Sequence, residues 1–401
     1  AAMNGLNPGI LGSTLIPWLQ RSASQQISTP STDRTGRIMD SIFTGLRART
    51  GLQIMALNVS VALQQLTGGF VAMAKVPKKH LASAMVAYTK APNQTAEFIA
   101  GKSKWMDTHI GESIFEIRKR IDDMIINPTK YDKAKEWAAK NGYVLASVMQ
   151  GTVNNVVWLG SYNRSIEEGL DETAAVKRAD SDVRQTQGTF NPEDLSKLET
   201  GSPLSRAFTM FYNYFNMLGN LYATELTKIR KMTGFAGPAR LFHLYFFAFL
   251  MPAVVAKAIS MGVGGDLFDE DGDFEWLEVF FLSQLEVLTA MVPYVGNVGR
   301  SAMNRFNDKF YDDRISASPM FSMLEATASV PADFVKIAQG DPPSSKKVTK
   351  DVLTAVGMAT GTPAAVIARP IGYIMDVEEG RTKPKNPADY VRGLVSGRGQ
   401  Q

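Results

Sequence analysis

The chain has 401 residues, of which 45% are apolar and 20% charged, with a formal net charge of +4. Such a composition belongs to a folded protein with material for a large core, and it fits neither a disordered chain nor a conventional polytopic membrane protein. There is no cysteine, which excludes thiol catalysis, disulfides and cysteine-ligated zinc, and His80, His109 and His243 are too far apart for an i,i+4 metal pair.

The opening AAMNGLNPGI has no Met at position 1 and no basic-then-apolar signal pattern, so the chain is expected to be a processed or excerpted piece of something longer. SASQQISTPSTDRTG, ending at Gly36, reads as a polar arm. Residues 50–74 carry no charge but contain Gln53, Asn58, Gln64 and Gln65. Wound as a helix, Gln53, Ser60, Gln64 and Thr67 form one polar stripe, with Asn58 and Gln65 on a second. Met55, Val59, Ala62 and Leu66 lie between them. The spacing predicts a buried bundle helix contacted on more than one side, bent or broken at Gly68–Gly69, and able to enter a membrane only beside other helices.

Residues 141–163 are likewise uncharged and hold Gln150, Asn154 and Asn155. Next, Asp171 is expected to N-cap ETAAVKRADSDVRQTQG, with Gly188 as its C′ glycine. Asn191 and Pro192 open NPEDLSKLE, and a further Ser-Pro pair opens a helix running to about Met232. On that helix Phe208, Phe211, Phe215, Leu218 and Tyr222 recur every three or four residues, and Asn213, Asn216 and Asn220 make a second line. Hairpin-turn signals are scarce, so the fold is predicted to be all-α, an elongated multi-helix bundle.

The most apolar stretch, LFHLYFFAFLMPAVVAKAISMGVGG at 241–265, precedes the acidic DLFDEDGDFEWLE and then the apolar VFFLSQLEVLTAMVPYVGNVG. Together, residues 241–299 suggest a hydrophobic helical hairpin with an acidic tip. If it spans a membrane, Lys228, Arg230, Lys231 and Arg240 before it and Arg300, Arg305, Lys309 and Arg314 after it place both ends in the cytoplasm. Glu286 and Pro293 burden the second arm, so the first arm is the one able to insert alone; a buried hairpin of a soluble bundle is the plainer alternative. Leu241, Phe246, Phe249, Val254, Phe280, Leu285, Asn213, Asn216 and Asn220 are the membrane or assembly candidates. Further on, residues 352–368 are uncharged but broken by Gly357, Gly361 and Pro363.

Three chemical motifs stay weak. Asp269, Asp271, Asp273 and Glu278 fall at calcium-loop positions around Gly272, but Leu267 stands where the first carboxylate ligand belongs; a solvated acidic turn explains them equally. Glu112-Ser113, then VMQ and SYN, follow the order of a peptidoglycan-cleaving transglycosylase with Glu112 as general acid, yet the glycine before Met149 is missing. Lys78-Lys79-His80, Arg118-Lys119-Arg120 and Lys346-Lys347 suit loose phosphate contact and no sequence readout.

Several strings together resemble the C-terminal region of the large internal virion, or ejection (DNA-transfer), proteins of bacteriophages and related phage polyvalent proteins. They are MALNVSVALQQLTGGFV, VVWLGSYNRSIEEGLDETAAVKRADSDVRQTQGTFNPEDLS, FTMFYNYFNMLGN, the block ending MVPYVGNVGRS, and NPADYVRGLVSGRG, spread over roughly residues 50–400. The resemblance implies a non-enzymatic structural protein stored inside the capsid and ejected into the host periplasm and inner membrane. There it would form a genome-delivery conduit. Implied partners are its own copies, other internal virion and portal-core proteins, the host inner membrane and, non-specifically, DNA, with no cofactor. The expected organisation is an arm at 1–36, a helical bundle at 37–235, the hairpin at 236–310 and C-terminal helices at 311–401. A lytic transglycosylase domain and a membrane-inserting pore-forming protein are the alternatives.

Overall fold

Local capping signals and apolar periodicity translate into helices wherever the chain is placed. The computed structural model describes residues 34–56, 58–108, 143–188, 212–264, 319–340 and 343–397, with short runs at 16, 19, 195–196, 199–200, 209, 279–281 and 283–284. Among the described residues the protein is all-α, with no strand. In chain order the helices are α1 (Arg34–Met55), α2 (Val59–Gln65), α3 (Gly68–Met73), α4 (Lys78–Lys90), α5 (Pro92–Lys102), α6 (Val144–Glu167) and α7 (Glu172–Thr186). They continue with α8 (Asn213–Ile229), α9 (Ala236–Tyr245), a π-turn (Phe246–Leu250), α10 (Met251–Gly264), α11 (Pro319–Ala338), α12 (Ser345–Thr360), α13 (Ala364–Glu378) and α14 (Pro387–Ser396).

α6 is the central post. Residues 153–161 are all buried, because α2, α3, α4, α5 and α7 surround it. An uncharged helix can be enclosed in this way without stranding a charge. Two of its polar side chains reach across to the α7 segment: Gln150 donates to Gln187 Oε1 at 3.3 Å, and Ser161 donates to Asp182 at 2.6 Å. Trp158 Nε1 and Ser103 Oγ both donate to Asp180 Oδ1 at 2.7 Å. Trp158 also stacks on Tyr162 with ring centroids 5.1 Å apart. Gly160 lets α4 approach, since a β-carbon there would lie 3.2 Å from the His80 carbonyl oxygen.

The uncharged 50–74 stretch is three helices, not one. Asn58 ends the first piece by donating to Ile54 O at 2.9 Å, and it caps the next by accepting from Val61 N–H at 3.3 Å. The chain bends by 91° between Arg34–Met55 and Val59–Met73. Its amides do bridge helices as expected: Gln53 donates to Thr362 O at 2.7 Å and Gln64 to Ala256 O at 3.2 Å. The second break falls at Leu66–Thr67, where i→i−3 bonds tighten the chain just before Gly68.

Asp171 caps α7 as predicted, accepting from Ala174 N–H at 2.9 Å. Gly188 is not a left-handed C′ residue, for it is absent from the positive-φ glycines. α7 stops because Gln187 turns extended and donates to Gly68 O at 3.0 Å. Gly357 does not break its helix either; it sits inside α12, where a β-carbon would overlap the Gln53 amide. The break lies at Gly361, in the left-handed region at φ 74°, followed by Pro363. α1 packs on α11, α12 and α13, while α14 packs on α10 and α13.

Candidate functional site

The polypeptide reverses between α8 and α9 at Gly234, whose φ of +62° favours glycine. α9 then runs back against α8 and α3, and its two faces are distributed in an unusual way. Phe235 and the helical residues Pro238, Leu241, Phe242 and Tyr245 occupy an arc of about 120°, and all five are exposed. Phe235 is 83% exposed and Phe242 66%. The opposite arc holds Gly237, Arg240, Leu244 and Ala248. Most of the large apolar side chains of α9 therefore face outward, while Leu244 and the charged Arg240 face the bundle.

Two sets of contacts hold the inner face. Leu244, Ala248 and Phe249 join Val71, Ala74, Met217, Leu218 and Leu221 in one buried apolar cluster. Phe249 meets Tyr222 edge-to-face with centroids 4.5 Å apart. Beside this cluster lies a clasp centred on Glu225, whose side chain is 2% exposed. Its Oε1 accepts from Lys75 and Lys228, both at 2.8 Å, and its Oε2 accepts from Arg240 Nη2 at 2.6 Å. Burial pushes the Glu225 carboxyl up, but hydrogen bonds from Lys228, Lys75 and Arg240 outweigh it and hold it down to about 2. Burial lowers the Lys75 ammonium below its usual value, against the pull of Glu225.

The clasp also satisfies three successive carbonyls at and beyond the end of α3. His243 Nε2 lies 3.0 Å from Met73 O, Arg240 Nη2 donates to Ala74 O at 2.7 Å, and Arg164 Nη1 donates to Lys75 O at 2.7 Å. The guanidinium groups of Arg240 and Arg164 at this helix C-terminus answer both its orphan carbonyls and its negative dipole end. Helices α6, α8 and α9 are thereby tied to one turn of chain.

The apolar segment continues as one rod through a π-turn. Ahead of Pro252, which has no N–H and crowds the carbonyl four residues back, Met251 N–H donates to Phe246 O five residues back. The extra residue rotates the following face inward. Phe249, a membrane or assembly candidate seven residues after the exposed Phe242, lies buried against Tyr222. Leu241 is exposed, Phe246 and Val254 are half-buried, and Phe280 is exposed. Tyr245 donates to Gln284 Oε1 at 3.2 Å, which sets the start of the second apolar stretch beside α9. The asparagine line does not form one interface: Asn213 is buried near Gly188, Asn216 is half-buried and Asn220 is exposed.

Leu285, the acidic candidates Asp269, Asp271, Asp273 and Glu278, the general-acid candidate Glu112, and Phe208 and Phe211 lie outside the described residues. Most of the 1–36 arm and of NPEDLSKLE does too. Among the described residues no cluster of three or more His, Asp or Glu forms a metal site. Two of the basic clusters are engaged with carboxylates: Lys79 pairs with Glu167 at 2.7 Å, Lys346 with Asp376, and Lys347 with Asp333 at 2.8 Å. An open apolar groove of about 600 Å³ lies between Val59, Gly262 and the α14 residues Pro387, Ala388, Val391 and Val395.

Comparison with protein-family models, with curated proteins and with solved structures found no match. Sequence reasoning missed the Glu225 clasp. Only the Glu225–Lys228 spacing hinted at it, since the other partners stand far away along the chain.

Proposed function

We propose that this chain is a helical structural module of a bacteriophage virion protein. It is stored in the capsid and ejected into the host envelope, where it assembles with its own copies and with other internal virion and portal-core proteins into a conduit for the genome. DNA passes along the conduit without being read. The resemblance set out above supports the reading, and so does the all-α scaffold.

The observation that carries it is the continuous apolar rod Ala236–Gly262. Its 27 residues are long and apolar enough to cross a bilayer, and its most apolar window is only 33% buried. At 1.5 Å per residue the rod reaches about 40 Å, against a hydrocarbon core of about 30 Å. The core of α6 is instead buried without interruption over residues 153–161.

The test is location. Cryo-electron microscopy of mature particles is expected to show copies of the chain ringed about the portal axis, and fractionation after infection is expected to recover it with the host envelope. Particles that lack the chain, or a chain that stays in the empty capsid, would overturn the proposal.

A further inference from the structure

We propose that the α8–α9 corner is an interfacial anchor for anionic lipid, through which the folded protein lies against a bilayer before any helix is released. The inference rests on the envelope-directed function above and adds a lipid chemistry, a face and a set of residues. Three observations carry it.

The first is the inverted helix. Phe235, Leu241, Phe242 and Tyr245 turn outward from a helix whose inner face is already satisfied by the Glu225 clasp and the Leu244–Ala248 packing. Phe235 and Phe242 are seven residues apart, about 10 Å along the axis. The exposed arc thus forms a strip that can lie parallel to a membrane plane and sink to the headgroup–acyl boundary.

The second is charge. No acidic residue occurs from Leu226 to Gly265, whereas Lys228, Arg230, Lys231, Arg240 and Lys257 do. Arg230, Lys231 and Met232 are exposed on the turn that leads into Phe235. A basic cluster beside an aromatic strip matches the two layers of a bilayer edge, anionic headgroups over hydrocarbon.

The third is the position of the clasp. Glu225, Lys75 and Arg240 are joined on the inner side of α9, away from the strip, so lying on lipid leaves their ion pairs intact. A second copy of the chain is a poorer occupant, because a two-fold contact centred on Phe235 would set two Arg230–Lys231 clusters against each other.

The whole chain is sedimented with vesicles of phosphatidylcholine, with and without phosphatidylglycerol. Wild type is expected to bind the phosphatidylglycerol vesicles and to be released by salt. Each basic residue near an anionic surface contributes about fivefold, so Arg230→Ser with Lys231→Ser should bind about twenty-five-fold more weakly. Each lost phenylalanine contact costs about tenfold or more, so Phe235→Ser with Phe242→Ser should abolish measurable binding. Val86→Ser, at an exposed apolar site on α4, should change nothing. Because the altered side chains are exposed, helicity by circular dichroism should match wild type.

Equal binding to both vesicle types, or variants that bind like wild type, would overturn the anchor. So would a phenylalanine variant that loses self-association in analytical ultracentrifugation while vesicle binding persists, which would make the strip a contact between copies. The two proposals fail separately. A chain present in particles that ignores phosphatidylglycerol loses the anchor and keeps the virion role; a lipid-binding chain absent from particles does the reverse.

Discussion

Replacing Glu225 by alanine tests whether the clasp holds the apolar rod on the bundle. The change leaves Lys75, itself buried, and Arg240 without their shared carboxylate. Removing one partner of a buried ion pair costs about 3–5 kcal/mol, because the remaining charges stay desolvated. The loss falls on the opening of α9 from α3 and α8, so hydrogen exchange at residues 236–250 is the direct readout. At about 1.4 kcal/mol per factor of ten, exchange there should quicken by roughly two to three and a half powers of ten, up to the limit set by global unfolding. Amides of residues 153–161 should be far less affected, since α6 is held by other partners. Glu225→Gln, which keeps the shape and an acceptor oxygen, should fall between wild type and alanine. The carboxyl is held down to about 2 from an ordinary 4.5, so its contribution is complete above pH 4.5 and is lost as pH falls towards 2. Wild-type protection at 236–250 should therefore drop across that window, while Glu225→Gln should show a smaller drop. Exchange at 236–250 within threefold of wild type in the alanine variant would refute the clasp as the element that holds α9.

Gly357→Ala should lower thermal stability by about 1–3 kcal/mol by driving the Gln53 amide off Thr362; in a Gln53→Ala background the same change should be neutral or stabilising, by up to about 1 kcal/mol of helix propensity. Lys347→Met leaves Asp333 and Asp351 without their common cation and should cost about 3 kcal/mol in urea unfolding followed by circular dichroism. Burial pulls the Lys347 ammonium down, but its bonds to Asp333 and Asp351 outweigh this and raise it above 10.5, so its contribution is present below that pH and is lost as pH climbs higher. Asn386→Ala removes the cap that accepts from Asp389 N–H at 2.9 Å and should cost about 1 kcal/mol, read as faster exchange in α14 alone. On peptidoglycan gels, neither wild type nor Glu112→Gln should leave a clearing zone; a zone lost in the variant would establish the transglycosylase alternative.

What the sequence determined by itself was local. Asp171, Ser344 and Asn386 cap helices by binding amides three residues on. Gly361 and Gly397 end two helices in the left-handed region. These are short-range effects that need no knowledge of the rest of the fold. The unbroken lack of charge at 141–163 likewise pointed to a helix with a large buried surface, which the structure shows over residues 153–161, and the bridging amides Gln53 and Gln64 were legible as interhelical groups.

Only the tertiary structure decided direction. Periodicity shows that a helix has two faces, but not which face the bundle will cover. On α9 that choice was made by Glu225 and by the carbonyls of Met73 and Ala74, more than 160 residues from their Arg240 and His243 partners. They drew Arg240 and His243 inward beside Leu244 and left Phe235 and Phe242 outside. Pro252 then inserted a π-turn that rotated Phe249 into the core, and Asn58 split a run that composition alone reads as one helix. In each case a hydrogen bond or a steric clash selected one arrangement among several that the apolar pattern allows equally.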